Sequence, residues 1–133
     1  MIEVAAGLVF RQGKLLITQR RATDHLGGLW EFPGGKREPG ESFPDCLARE
    51  LLEELDIEVR VLECVFATSY AYPEKTVLLQ FHRCAWLRNE PRALGCQAFA
   101  WIEPAALSQY EFPPADARLL DQLRNSPEWW EEP

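Results

Sequence analysis

No stretch of this chain approaches the roughly 20 consecutive apolar residues of a membrane-spanning helix. Nor does the N-terminus carry a basic segment leading into an apolar run and a cleavage site, so a cytoplasmic protein with no membrane partner is expected. Cysteine is scarce and scattered. Cys46, Cys64, Cys84 and Cys96 form no Cys-x-x-Cys pair, which argues against a zinc site or a disulfide framework and leaves four buried or incidental thiols. The two histidines point nowhere in particular: His25 falls in a loop without a second ligand, and His82 lies inside a strand pattern as a packed residue. Positive charge is also short. With 14 Lys and Arg against 21 Asp and Glu, the net charge of -7 argues against a broad, stable nucleic-acid footprint, which is usually basic. Phosphates would have to be met by local Arg and Lys residues and by a metal that cancels the site's own negative charge. Repeats, linkers and low-complexity segments are missing too, and 133 residues with 47% hydrophobic content fit one domain over 1–133.

What is present is a series of strand patterns broken by a few helical ones. Residues 2–10 read as a largely buried strand, Gln12 and Gly13 as a turn, and residues 14–19 as the second arm of a hairpin. Arg20 and Arg21 precede a loop through Thr23, Asp24 and His25 to Gly27 and Gly28. Ile57, Val59 and Val61 alternate with Glu58 and Arg60 as a strand with one wet face that continues towards Phe66. Residues 70–75 read as a loop, 76–86 as the longest strand, 98–102 as a short strand and 104–108 as a helical turn. Pro113 and Pro114 lead into a last helix with Leu119, Leu120 and Leu123 as its inner stripe. Trp129 and Trp130 in the tail must fold back on the domain or meet a partner.

The stretch from Gly34 to Ile57 organises the rest, pairing a glycine loop with a helix rich in carboxylates. Leu47, Leu51 and Leu55, with Ala48 and Leu52, recur at helical spacing and predict one buried stripe. Glu50, Glu53 and Glu54 fall off that stripe at i, i+3 and i+4, so they project together. Such a patch is either a solvated face or a set of hard oxygen ligands for Mg²⁺ or Mn²⁺. Gly34 and Gly35 before it, Glu41 six residues past Gly35, and Arg49 ahead of the cluster favour the second.

These residues resemble the Nudix hydrolases, whose signature is G-x5-E-x7-R-E-U-x-E-E-x-G-U with U a bulky aliphatic residue. Gly35, Glu41, Arg49, Glu50, Leu51, Glu53, Glu54 and Ile57 occupy their signature positions. One position departs from it: the glycine after the helix is Asp56, where the chain is expected to leave the helix through a left-handed conformation at a modest cost. Leu29-Trp30-Glu31-Phe32-Pro33-Gly34-Gly35-Lys36 and the segments 97–101 and 113–120 are similar to the MutT-like and CTP pyrophosphohydrolase branch.

The resemblance implies an α/β fold, an α/β/α sandwich with a mixed central sheet. It implies a Mg²⁺-dependent (Mn²⁺ possible) pyrophosphohydrolase that splits a nucleoside triphosphate into monophosphate and pyrophosphate, acting on oxidised purine or pyrimidine nucleotides. Another Nudix substrate, or a base-reading module without catalysis, is the alternative. The implied metal ligands are Glu50, Glu54 and the Gly34 carbonyl, with Glu53 and Glu41 as further or water-mediated ligands. Glu50 or Glu53 is the implied proton acceptor, and Arg49 holds the glutamates in place. Arg20 and Lys36 are implied for the phosphates, Phe32, Tyr72 and Asp116 for the base, and Lys75 as a further substrate contact. Asp116 is also a candidate N-cap for the last helix. A monomer and a homodimer are equally compatible with the sequence.

Overall fold

The computed structural model describes residues 1–131. Its strands are β1 (Ile2–Arg11), β2 (Lys14–Gln19), β3 (Trp30–Glu31), β4 (Gly34–Lys36), β5 (Glu58–Ala71), β6 (Thr76–Arg88) and β7 (Ala98–Ile102). Two α-helices, α1 (Phe43–Leu55) and α2 (Ala117–Asn125), and three short 3-10 turns at Pro104–Gln109, Pro114–Asp116 and Pro127–Trp130 complete them. The strands form one mixed sheet ordered β3-β2-β1-β6-β5, with β4 added to β1 and β7 to β2. β1 and β6 run parallel, and the other pairs are antiparallel.

β1 lies centrally because it is apolar on both sides. Its pleat sends Ala5 and Val9 one way, into a core with Leu47, Leu51 and Leu55 of α1. It sends Ala6, Leu8 and Phe10 the other way, into a core with Leu119 and Leu123 of α2. Two helical layers thus sandwich the sheet, as expected. The hairpin forms as expected too: Gln12 (φ 52°) and Gly13 (φ 75°) both take the positive φ of a tight turn whose twist matches the strands.

Helix α1 begins at Ser42, whose hydroxyl accepts a 3.1 Å hydrogen bond from the Asp45 amide, with Pro44 in the first turn. It ends at Asp56, which takes φ 58° and ψ 30° and donates its amide to the Leu52 carbonyl. The buried stripe is narrower than predicted: Cys46, Leu47, Leu51 and Leu55 are buried, whereas Ala48 is exposed and Leu52 is 47% exposed. The glycine loop explains the difference, because Gly35 lets the Glu50 side of the helix settle against β4 and so rolls Ala48 and Leu52 outwards.

β5 is longer than the alternation at 57–61 indicated, running to Ala71 through register shifts between Val61 and Phe66. The expected loop at 70–75 contracts to a turn closed by Tyr72 N–H to the Lys75 carbonyl (2.7 Å). In α2, Leu119 and Leu123 are fully buried and Leu120 is half-buried. The tail folds back. Trp130 is 4% exposed, packs edge-on to Phe10 and donates its indole N–H to the Leu123 carbonyl at 3.0 Å. Among the described residues, no helix is long and apolar enough to cross a membrane.

Candidate active site

A cleft of about 430 Å³ opens where β4 and Glu54 in the last turn of α1 meet the loop after β2, the facing ends of β5 and β6, and the segment before α2. Two glycines shape its floor. A Cβ on Gly34 would overlap the Ala5 carbonyl of β1, and one on Gly35 would overlap the Glu50 carboxylate. Backbone and acid therefore approach one another here more closely than any other residue type allows.

Arg49 governs the acidic face. Its Nε and Nη2 donate to both oxygens of Glu41 (2.7 and 2.9 Å), and Nη1 donates to Glu50 (3.0 Å) and Glu53 (3.2 Å). Nη2 also reaches the Lys36 carbonyl at 3.1 Å, tying the helix to β4. One guanidinium thus spans three carboxylates, as a planar fork can. The Arg49 hydrogen bonds, helped by the Glu38 amide, hold the Glu41 carboxyl down at about 2. Glu53 points outward and is 59% exposed.

Glu54 forms no ion pair among the described residues. Burial first, then the charges of Glu50 and Glu31, push it up to about 8, against the smaller downward pull of the Gly34 amide and Arg20. Burial likewise raises Glu50 despite its bond to Arg49. No three acidic, histidine or cysteine side chains among the described residues converge as a closed metal cage. The donors instead sit along one edge of the cleft: Glu54 and Gly34 line it, and Glu50 adjoins it, both carboxyls being raised by burial. That set fits a divalent ion that keeps some of its waters and takes its remaining ligands from substrate phosphates.

The opposite end of the cleft is apolar with an acid at its rim. Phe32 stacks on Phe112 (5.2 Å, 19°) and meets Phe81 edge-on, and Tyr70 and Tyr72 close one side. Asp116 faces this space. Its carboxyl caps no helix, which corrects the N-cap alternative, and burial with the nearby Glu31 charge raises it to about 6. Arg20 lies in the cleft wall, donating to Glu31 (2.9 Å) and to the His25 carbonyl (2.6 Å), and Lys36 lines the cleft with its side chain exposed.

Of the residues expected at the site, Gly34, Glu54, Arg20, Phe32, Lys36, Tyr72 and Asp116 line the cleft. Glu41, Arg49, Glu50 and Glu53 adjoin it through the Arg49 network. Lys75 does not line it. It stands exposed in the β5–β6 turn, because that turn closes on itself more tightly than the expected loop. Glu31 is the residue that sequence reasoning missed: it lies between Glu54 and Asp116, raises both, and is itself raised by burial. Its only sequence signal is a single acid set between Trp30 and Phe32.

A family model, the NUDIX domain, matches residues 5–122. The chain belongs to the Nudix family. Its relatives include the CTP pyrophosphohydrolase of Escherichia coli (strain K12), 40% identical over 121 residues that cover 91% of this chain and 90% of that protein. The 8-oxo-dGTP diphosphatase of Haemophilus influenzae is 35% identical over 126 residues, covering 94% and 93%. Among solved structures, the solution structure of the Escherichia coli ORF135 protein has a TM-score of 0.81 at 38% identity over 95% of this chain and 90% of that one. A MutT structure from work on the Aliivibrio salmonicida and Vibrio cholerae proteins has a TM-score of 0.79 at 29% identity, covering 93% and 96%. The mixed sheet between helices is the fold of these Nudix neighbours. Divalent metals are general to Nudix hydrolases.

Proposed function

We propose that this Nudix chain is a Mg²⁺-dependent pyrophosphohydrolase that cleaves a nucleoside triphosphate to its monophosphate and pyrophosphate. The observation that carries the reading is Glu54, an acid held in the cleft wall, without an ion pair among the described residues and raised to about 8. Glu50, Glu54 and the Gly34 carbonyl would hold the ion, with Glu41 and Glu53 reached through water. When bound, Mg²⁺ supplies charge neutralisation for the phosphate oxygens and lowers the pKa of an attacking water.

The chain's own groups do the rest. Arg49 keeps Glu41, Glu50 and Glu53 at fixed positions and contributes no bond to substrate. Glu50 or Glu53, both held by Arg49, takes the proton from the attacking water. Lys36 and Arg20 meet the phosphates. Phe32, Tyr70 and Tyr72 flank the base.

Asp116 sets the base preference. Above about pH 6 its carboxylate only accepts hydrogen bonds, so it favours a base that presents N–H groups towards it. Cytosine does so through its amino group, whereas guanine does so only through its N1–H and N2–H₂ edge, its O6 and N7 edge offering acceptors that the carboxylate would repel. This supports a cytidine-type triphosphate, in line with the 40% identical CTP pyrophosphohydrolase. An 8-oxoguanine nucleotide is the second reading, favoured by the 35% identical 8-oxo-dGTP diphosphatase; oxidation turns N7 into an N–H donor that the same carboxylate can accept. Specificity constants for CTP, dCTP, 8-oxo-dGTP and dGTP, with and without Mg²⁺, test both. Activity on unmodified dGTP equal to that on the other three would exclude the role given to Asp116, and metal-independent turnover would exclude the rest.

A further inference from the structure

The loop 37–41 carries Glu41 from β4 to α1, and one side chain, Arg37, ties its main chain to β1. Arg37 Nη2 and Nε donate to the two carboxylate oxygens of Glu3 on β1 at 2.7 and 3.3 Å. Its Nη1 donates to the main-chain carbonyl of Glu41 at 2.6 Å, and its amide donates to the Glu3 carbonyl at 2.8 Å. The guanidinium also lies 5.6 Å from the ring centroid of Phe43, the first residue of α1. Within the loop, Gly40 turns at φ 82°. The guanidinium therefore bridges β1, the 37–41 loop and the start of α1 at a point where the loop turns between β4 and the helix.

As a partly exposed ion pair, Arg37–Glu3 has little to offer overall stability. Position is another matter. Glu41 is the bidentate partner of Arg49, and Arg49 in turn holds Glu50 and Glu53. If the Glu41 main chain moves, the fork follows its carboxylate and leaves Glu50. Outer partners that orient metal ligands are commonly as sensitive to change as the ligands are.

We propose that Arg37, with Glu3 as its counter-ion, is a positioning residue for the metal-facing acids: it anchors the Glu41 main chain, and through Glu41 it keeps Arg49 in register with Glu50 and Glu53. This rests on the metal-dependent reading above. Neither residue belongs to the signature glutamate set, and neither lines the base end of the cleft.

The test compares Arg37→Ala, Arg37→Lys and Glu3→Gln with Arg11→Ala, which removes the exposed Arg11–Glu90 pair elsewhere on the sheet. Two readouts are taken well below the melting temperature: the exchange rate of the Arg49 Nε–H resonance in metal-free protein, and the dissociation constant for Mn²⁺ followed by electron paramagnetic resonance. Arg37→Ala is expected to accelerate Arg49 Nε–H exchange and weaken Mn²⁺ binding about tenfold. Arg37→Lys, which can still place one donor on the Glu41 carbonyl, recovers part of both, and Glu3→Gln falls between. Arg11→Ala changes neither, whatever it does to melting. Wild-type exchange and wild-type Mn²⁺ affinity in Arg37→Ala overturn the proposal. If Arg37→Ala does not fold, Arg37→Lys and Glu3→Gln decide on the same readouts. Should the wild-type protein bind no Mn²⁺, the metal reading fails, and the Arg49 exchange arm alone decides whether Arg37 positions the network.

Discussion

Glu54 concentrates the electrostatic cost of the cleft. Its carboxyl, at 4.5 in an ordinary setting, rises to about 8 in the fold, so the folded protein binds this proton more tightly than the unfolded chain does. The stability tied to this proton is fully present below about pH 4.5 and is lost as pH rises through about 8. Metal-free protein should therefore show a falling contribution to its melting temperature between about pH 5 and about pH 8. Calorimetry on Glu54→Gln, which cannot titrate there, should find that part of the slope gone. Mg²⁺ should oppose the fall in the wild-type protein and not in the variant. The same substitution should lower Mg²⁺-dependent turnover by about a hundredfold or more while circular dichroism stays unchanged. Near wild-type turnover would remove Glu54 from the metal site. Glu54 was legible in the sequence because the i, i+3, i+4 spacing of the acids announces a shared face. Glu31 was not, because a lone acid in an aromatic segment carries no period, and only the sheet brings it between Glu54 and Asp116.

At the scale of elements, the register and roll of α1 decide which acids face the cleft. The helix and its left-handed exit at Asp56 were readable from local chemistry, and the structure adds Ser42 and Pro44 as its start. The roll was not. Periodicity cannot tell whether Ala48 and Leu52 or Cys46 flank the leucine stripe, since both fit the period; the choice depends on Gly35, fifteen residues before Glu50 in sequence and against it in space. Replacing Gly35 by Ala should therefore leave the fold intact, since the obstructing atoms are the end of a side chain, and displace Glu50. Turnover should drop on the order of a hundredfold with little change in melting. Steady-state kinetics beside a thermal melt will tell these apart, and full activity would mean that Glu50 needs no such close seat. Asp56→Gly is the converse case. It relieves the left-handed strain and should raise stability by about 1 kcal/mol in chemical denaturation, leaving kcat unchanged.

Across the whole molecule, two cores on either face of one sheet divide the labour. The α1 side carries the acids, and the α2 side closes the apolar end of the cleft through Phe32, Phe81 and Phe112. The layered α/β class was implied by the Nudix signature, but the strand order was not legible in the residue pattern, because pairing of β1 with β6 joins residues more than seventy positions apart. The tail was equally mute, as two tryptophans suit a partner as well as a core. Trp130→Ala should cost about 3 kcal/mol in urea unfolding, the range for deleting a large buried aromatic side chain, without altering Mg²⁺ affinity. A cost near zero would mean that Phe10 does not depend on it. The parallel seam has a further consequence for how the chain becomes a protein. β1 is synthesised well before β6 yet keeps one long flank bare until β6 has followed. During that interval the most apolar strand is an open, sticky ribbon whose rescue from aggregation depends on synthesis outrunning collision, or on a chaperone.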